Sequence, residues 1–115
     1  MDADEPRIVH ERIPLSEVAN LARLRFGDMV KAAVDVRLGI MDLGGELHAD
    51  EEALLIENGS DQGDIWGINL YPDEAGDVWI EFDSMINLRP SRGNRTRGVD
   101  DRALQERIRL VSIRW

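Results

Sequence analysis

The sequence predicts an α+β domain, an antiparallel β-meander of four to five strands with an N-terminal and a C-terminal helix packed on one face. Three observations carry this. Residues 65–71 and 78–88 alternate apolar and polar side chains, and Pro72-Asp73-Glu74-Ala75-Gly76-Asp77 between them has the composition of a turn, so the two runs fold back as a hairpin. Leu15, Val18, Ala22 and Phe26 recur at spacings of three and four, the stripe of an amphipathic helix. Leu104, Ile108, Val111 and Trp115 repeat that spacing at the other end. At 115 residues the chain can bury one core, so residues 1–115 form one domain, with residues 1–6 a loose acidic tail.

Residues 7–13 read as a short strand that Pro14 ends by removing a backbone donor. Gly27 then closes the first helix by supplying a left-handed residue. Val30, Ala32, Val34 and Val36 share one side of a half-buried strand, and Arg37-Leu38-Gly39 returns it into Ile40-Met41-Asp42-Leu43 as a second hairpin. Residues 50–58 admit two readings. As a helix, Asp50 caps, Glu51 and Glu52 suit the positive N-terminal dipole, and Asn58-Gly59 terminates. As a strand, Ala53-Leu54-Leu55-Ile56 is a short buried run; this reading is favoured because consecutive segments then pair without a crossover. Val99 and Asp100 precede the last helix, with Asp100 placed to cap it and Val99 to pack on Leu104. Along 78–88, parity puts Val78, Ile80 and Phe82 on the core face and Trp79, Glu81, Asp83, Asn87 and Arg89 on a polar face shared with Asn69.

Composition excludes several functions. Without cysteine there is no disulfide, thiolate metal site or thiol catalysis, and two histidines alone cannot build an all-histidine zinc site. The acidic N-terminus is not a signal peptide, and no apolar run approaches the roughly 20 residues of a membrane span, so a cytoplasmic protein without membrane contact is expected. Net charge is −9. That field argues against nucleic acid as a partner, since affinity there rests on many Lys/Arg–phosphate contacts. The charge is bipolar: residues 38–88 hold thirteen acids and no Lys or Arg, while from Arg89 onward eight arginines face Asp100, Asp101 and Glu106. These arginines either neutralise the acids within the fold or remain available to a partner.

Two constellations could carry chemistry. The first is Arg89-Pro90-Ser91-Arg92-Gly93-Asn94-Arg95-Thr96-Arg97, four arginines in nine residues. Guanidinium forks bind carboxylate and phosphate bidentately, and Gly93-Asn94 permits backbone shapes that aim N–H groups inward. Arg89, Asn94 and Arg95, with Asn69 and Asn87 on the polar face and Trp79 as a stacking surface, are therefore the candidate ligand-binding residues. The second is Glu46-Leu47-His48-Ala49-Asp50. If extended, it puts Glu46, His48 and Asp50 on one side, where Glu81 and Asp83 could join them around a divalent cation of the magnesium, manganese or calcium class. The competing reading is a solvated acidic edge with His48 hydrogen-bonded to a neighbour. No glycine-rich phosphate loop, serine elbow or EF-hand spacing is present, and no cofactor is required.

Three blocks, Gly44-Gly45-Glu46-Leu47-His48-Ala49-Asp50-Glu51-Glu52-Ala53, Ile65-Trp66-Gly67-Ile68-Asn69-Leu70-Tyr71-Pro72 and Ser84-Met85-Ile86-Asn87-Leu88-Arg89-Pro90-Ser91-Arg92-Gly93-Asn94-Arg95, together resemble a family of short prokaryotic proteins known as a domain of unknown function. The resemblance runs from about Pro14 to the final helix. It implies no activity, substrate or cofactor, so it assigns no residue a role. The residues themselves favour a non-enzymatic binding or interaction module whose Asn/Arg-rich loop holds a small anion or an acidic protein partner. The alternative is a metal-assisted hydrolase of a phosphate-containing substrate, with Arg89 or Arg95 clamping the phosphate.

Overall fold

The computed structural model describes residues 7–9 and 13–112. Its elements are β1 (Arg7–Val9), α1 (Leu15–Arg25), β2 (Val30–Asp35), β3 (Ile40–Leu43), α2 (His48–Glu57), β4 (Ile65–Leu70), β5 (Ile80–Glu81) and α3 (Arg102–Ser112). Short 3-10 turns occupy Gln62–Asp64, Gly76–Trp79, Met85–Asn87 and Pro90–Arg92. The five strands form one antiparallel sheet in the order β1-β3-β2-β4-β5. At its centre lies the expected β2–β3 hairpin. Asp35 Oδ1 accepts the backbone N–H groups of Arg37 and Leu38, each at 2.9 Å, and Gly39 takes φ 69 to complete the turn.

The α+β class, the antiparallel sheet and the shared face of the first and last helices are as expected. The connectivity is not that of a plain meander. β1 runs parallel to β2 with β3 between them, and β3 runs parallel to β4 with β2 between them. Each pair is joined through a helix. Right-handed crossovers that start from oppositely directed strands and step the same way along the sheet must land on opposite faces. That is where the helices lie. Val18 and Ala22 of α1 and Ile108 and Val111 of α3 pack on the face of Ala32, Val34, Leu43, Ile68 and Leu70. Leu55 of α2 packs with Ala33, Ile40 and Ile65 on the other.

Residues 50–58 are therefore helical, against the strand reading, and the premise of pairing without a crossover fails with it. Leu55 and Glu51 are turned to the sheet while Ala53, Ile56 and Glu57 face solvent, and Gly59 at φ 107 ends the helix. The alternation over 78–88 is not a continuous strand either. Gly76 takes φ 65 and begins a 3-10 turn that rotates the chain, so Val78 is 65% exposed while Trp79 is buried in the core. Only two residues of β5 follow before Ser84 opens another 3-10 turn, its Oγ accepting Ile86 N–H at 3.3 Å.

The helix stripes are shorter than their spacing implied. In α1, Val18 and Ala22 are buried, but Leu15 and Phe26 at its ends are exposed. In α3, Ile108 and Val111 are buried and Leu104 is half-buried, while Trp115 lies outside the described residues. The cap of α3 is Asp101, whose Oδ1 accepts from Ala103 N at 2.9 Å and Leu104 N at 3.4 Å, one residue later than the expected Asp100. Ile108 has no exposed surface, so Ile108→Val should lower unfolding stability by about 0.5–1.5 kcal/mol. Urea denaturation tests this, and an unchanged midpoint would show that α3 is not docked.

Candidate functional site

Two polar pockets open on either side of the Met85–Asn87 turn, on the α2 face of the sheet. In the first, of about 470 Å³, Arg89 projects between α2 and the start of β4. Its Nη2 donates to the Ile65 carbonyl at 2.6 Å and lies 3.6 Å from Glu52 Oε2, and its guanidinium stacks 4.6 Å from the centre of the Trp66 ring. Nη1 is buried without a hydrogen-bond partner among the described residues. Burial lowers the Arg89 pKa, against the attraction of Glu52, and burial raises that of Glu52, against the pull of Arg89. Arg92 shares the wall; its guanidinium lies over Gly63, where any Cβ would collide with it.

The rest of the arginine loop is knitted to itself. Asn94 Nδ2 donates to the carbonyls of Asn87, Gly98 and Thr96 at 2.6, 2.8 and 3.2 Å, and its Oδ1 accepts Asp100 N–H at 2.8 Å. Asp100 in turn accepts from Arg95 N and Thr96 Oγ1, bonds that hold its pKa below the usual carboxylate value. The Arg95 side chain itself is exposed. Asn87 is fully buried, its amide bonded to both backbone groups of Gly67, and Arg97 Nε reaches Asp83 Oδ1 at 2.8 Å.

The second pocket, of about 540 Å³, gathers His48, Asn69, Tyr71, Glu81, Asp83, Lys31 and Arg97. Glu81 Oε1 accepts from Asn69 Nδ2 at 2.9 Å and from the Tyr71 hydroxyl at 3.0 Å. Burial, and then the bond to Glu81, raises the Tyr71 pKa. His48 Nε2 meets the Ile68 carbonyl at 2.8 Å, so that nitrogen carries the proton, and burial lowers the imidazole pKa. Behind the pocket two carboxyl groups, Asp42 on β3 and Glu51 on α2, have no exposed surface. Burial pushes Asp42 up to about 7 and Glu51 well above the carboxylate range, the nearby Asp42 adding to the effect on Glu51. Among the described residues only Glu51 Oε2 finds a donor, Gly45 N–H at 3.0 Å.

Of the sequence candidates, the fold brings His48, Asn69, Glu81 and Asp83 to one pocket and Arg89 to the other. It does not bring Glu46 or Asp50 to either. His48 is the first residue of α2, so the two-residue period that would align it with them is broken, and both acids are exposed. Among the described residues no three His, Asp or Glu side chains converge as metal donors. Trp79 is in the core rather than on the polar face. Sequence reasoning missed Lys31 and Tyr71, although Tyr71 has the parity of Asn69, and it missed Asp42, whose signal was a lone acid inside Ile40-Met41-Asp42-Leu43.

The described fold spans nearly all of the region over which the chain, at residues 7–114, matches the family described as "Protein of unknown function (DUF5674)". The chain belongs to the DUF5674 family. No curated protein and no solved structure matches this DUF5674 chain. Among the described residues, no helix is long and apolar enough to cross a membrane.

Proposed function

We propose that this DUF5674 domain is a non-enzymatic binding module that holds a carboxylate or phosphate group in the pocket walled by Arg89 and Arg92. The observation that carries this reading is the setting of Arg89. Its guanidinium lines the pocket and is fixed by the Ile65 carbonyl, Glu52 and the Trp66 ring, while Nη1 is buried without a hydrogen-bond partner among the described residues. A guanidinium already immobilised loses little entropy when an anion arrives, and a buried donor without an acceptor gains one. Arg92, exposed beside it, supplies a second fork. Glu52 and Asp61 also line the pocket, so a ligand with a donor beside its anionic group fits better than a bare ion. The hydrolase alternative has less support, because its metal donors do not converge.

Inorganic phosphate, sulfate and acetate test the reading by thermal shift. An anion at about a hundred times its Kd should stabilise the wild type by about 2.7 kcal/mol. Arg92→Ala should leave the unliganded melting temperature nearly unchanged and remove that rise, since an exposed arginine contributes little to folding. Arg95→Ala, outside the pocket wall, should retain it. No anion response in the wild type, or a full response in Arg92→Ala, would sink the reading.

A further inference from the structure

The second pocket carries an inference that does not depend on the first. Several of its acceptors are unspent. Glu81 Oε1 takes both Asn69 Nδ2 and the Tyr71 hydroxyl, which leaves Oε2 without a protein partner among the described residues. Arg97 occupies Asp83 Oδ1 and leaves Oδ2. The His48 proton is committed to the Ile68 carbonyl at Nε2, so the neutral ring offers a lone pair at Nδ1. Asn69 is 6% exposed, and its orientation is set by donation to Glu81 Oε1 and the Asp83 carbonyl, which leaves its Oδ1 unpartnered. Of the two cations on its wall, Lys31 makes no ion pair with Glu81 or Asp83 among the described residues, its ammonium lying 5.4 Å from the centre of the Phe26 ring, and Arg97 is held at Nε by Asp83. Opposite the acceptors, Met29, Leu47, Met85 and Ile86 form an apolar wall.

We infer that this groove binds the primary ammonium group of an aliphatic amine, with Glu81, Asp83, Asn69 and His48 as acceptors and the alkyl chain along the Met85 and Leu47 wall. An ammonium matches these acceptors because it brings three N–H donors and a positive charge for two partly used carboxylates. A carboxylate of the same chain length brings only acceptors and a negative charge beside Glu81 and Asp83. Burial holds the His48 pKa below its ordinary range, so the acceptor form persists at neutral pH.

Titration calorimetry of the full chain with n-pentylamine and with pentanoate at neutral pH tests this. Saturable binding of pentylamine and none of pentanoate is expected, and Glu81→Gln should weaken the amine at least about tenfold, the loss of one charge-assisted contact. Equal binding of the two probes would reduce the groove to an apolar cleft and overturn the proposal, as would undiminished affinity in Glu81→Gln. Should that variant fold poorly, amide shift mapping of the wild type decides: pentylamine must perturb Asn69, Tyr71 and Glu81, and perturbations confined elsewhere overturn the assignment. Nα-acetyl-lysine methylamide, titrated alongside, identifies the source. Tighter binding than pentylamine points to a lysine side chain of a peptide, and weaker binding to a free amine.

Discussion

Asn87→Ala should cost the domain roughly 2–6 kcal/mol, a large part of the stability of a domain this size. β5 is only two residues long, so the outer edge of β4 runs out of strand at Gly67. The Asn87 side chain takes the place of the missing strand. Its Oδ1 accepts Gly67 N–H at 2.8 Å, and its Nδ2 donates to the Gly67 and Arg97 carbonyls, both at 2.9 Å. Alanine would strand the N–H and C=O of Gly67 around a residue with no exposed surface, at about 1–3 kcal/mol each when solvent cannot replace the partner, while the Arg97 carbonyl keeps the Ser84 N–H at 2.9 Å. The segment has no room to shift inward and compensate. Ser84 already sits so close that a Cβ on Gly67 would come within 2.6 Å of it. Urea denaturation of Asn87→Ala and Asn87→Asp measures the effect. Aspartate keeps the acceptor but loses the donor and buries a charge, so it should be no better than alanine. A loss below about 1 kcal/mol for alanine would mean that water reaches Gly67.

Raising the pH should destabilise the fold across the range where most carboxylate-rich domains gain stability. Asp42 has no exposed surface and no hydrogen-bond partner for either oxygen among the described residues, and its pKa is pushed from 3.8 to about 7 by burial. Between those values the folded state holds a proton that the unfolded state has released, so unfolding stability falls as pH rises. The full difference corresponds to a loss on the order of 4 kcal/mol, complete once the pH exceeds the folded value. Glu51, also raised, acts in the same direction. His48 opposes them: its lowered pKa means the unfolded chain binds the extra proton below 6.5, so its contribution grows as pH rises toward that value. Asp42→Asn isolates the carboxyl from these other groups. Its stability measured from pH about 4 to about 8 should decline much less than that of the wild type. Coincident profiles for the two proteins would show that Asp42 is solvated or paired in solution.

The elements legible in the sequence were those whose period and end signals agreed. The β2–β3 hairpin had alternation, Asp35 and Gly39; α1 had its three-and-four spacing and Gly27; α3 had Val99 and an acid before its first turn. Residues 50–58 were ambiguous because Ala53-Leu54-Leu55-Ile56 is apolar enough for a strand, while the buried face of α2 is made partly of His48 and Glu51, residues that a hydrophobic pattern counts against burial. The run 78–88 misled for the opposite reason: two 3-10 turns on either side of a two-residue strand happen to preserve a period of two in composition, though not in direction. Asn69 and Glu81 share one side of the sheet as their parity implied, but that face also carries the apolar cluster of Ala33, Ile40, Leu55 and Ile65 under α2, and the pairing of Arg89 with an internal acid was one of the two outcomes foreseen. The burial of Asp42 and Glu51 was not, since depth under α2 depends on a crossover that local sequence does not encode.

That crossover also bears on how quickly the chain can assemble. The β2–β3 hairpin closes over a four-residue turn and needs nothing distant. β4 and β5 also close locally, Leu70 opposite Ile80, but the other two pairings are remote, because Val30 must meet Leu70 and Arg7 must meet Leu43, each across a helix. The hairpin should therefore form on the microsecond scale, while the folding barrier lies in closing the two long loops, whose entropy is lost before their contacts are gained. Lengthening the connection between α2 and β4 near Asp61 should slow folding while leaving the unfolding rate nearly untouched, which makes the order of sheet assembly measurable from the two arms of a chevron plot.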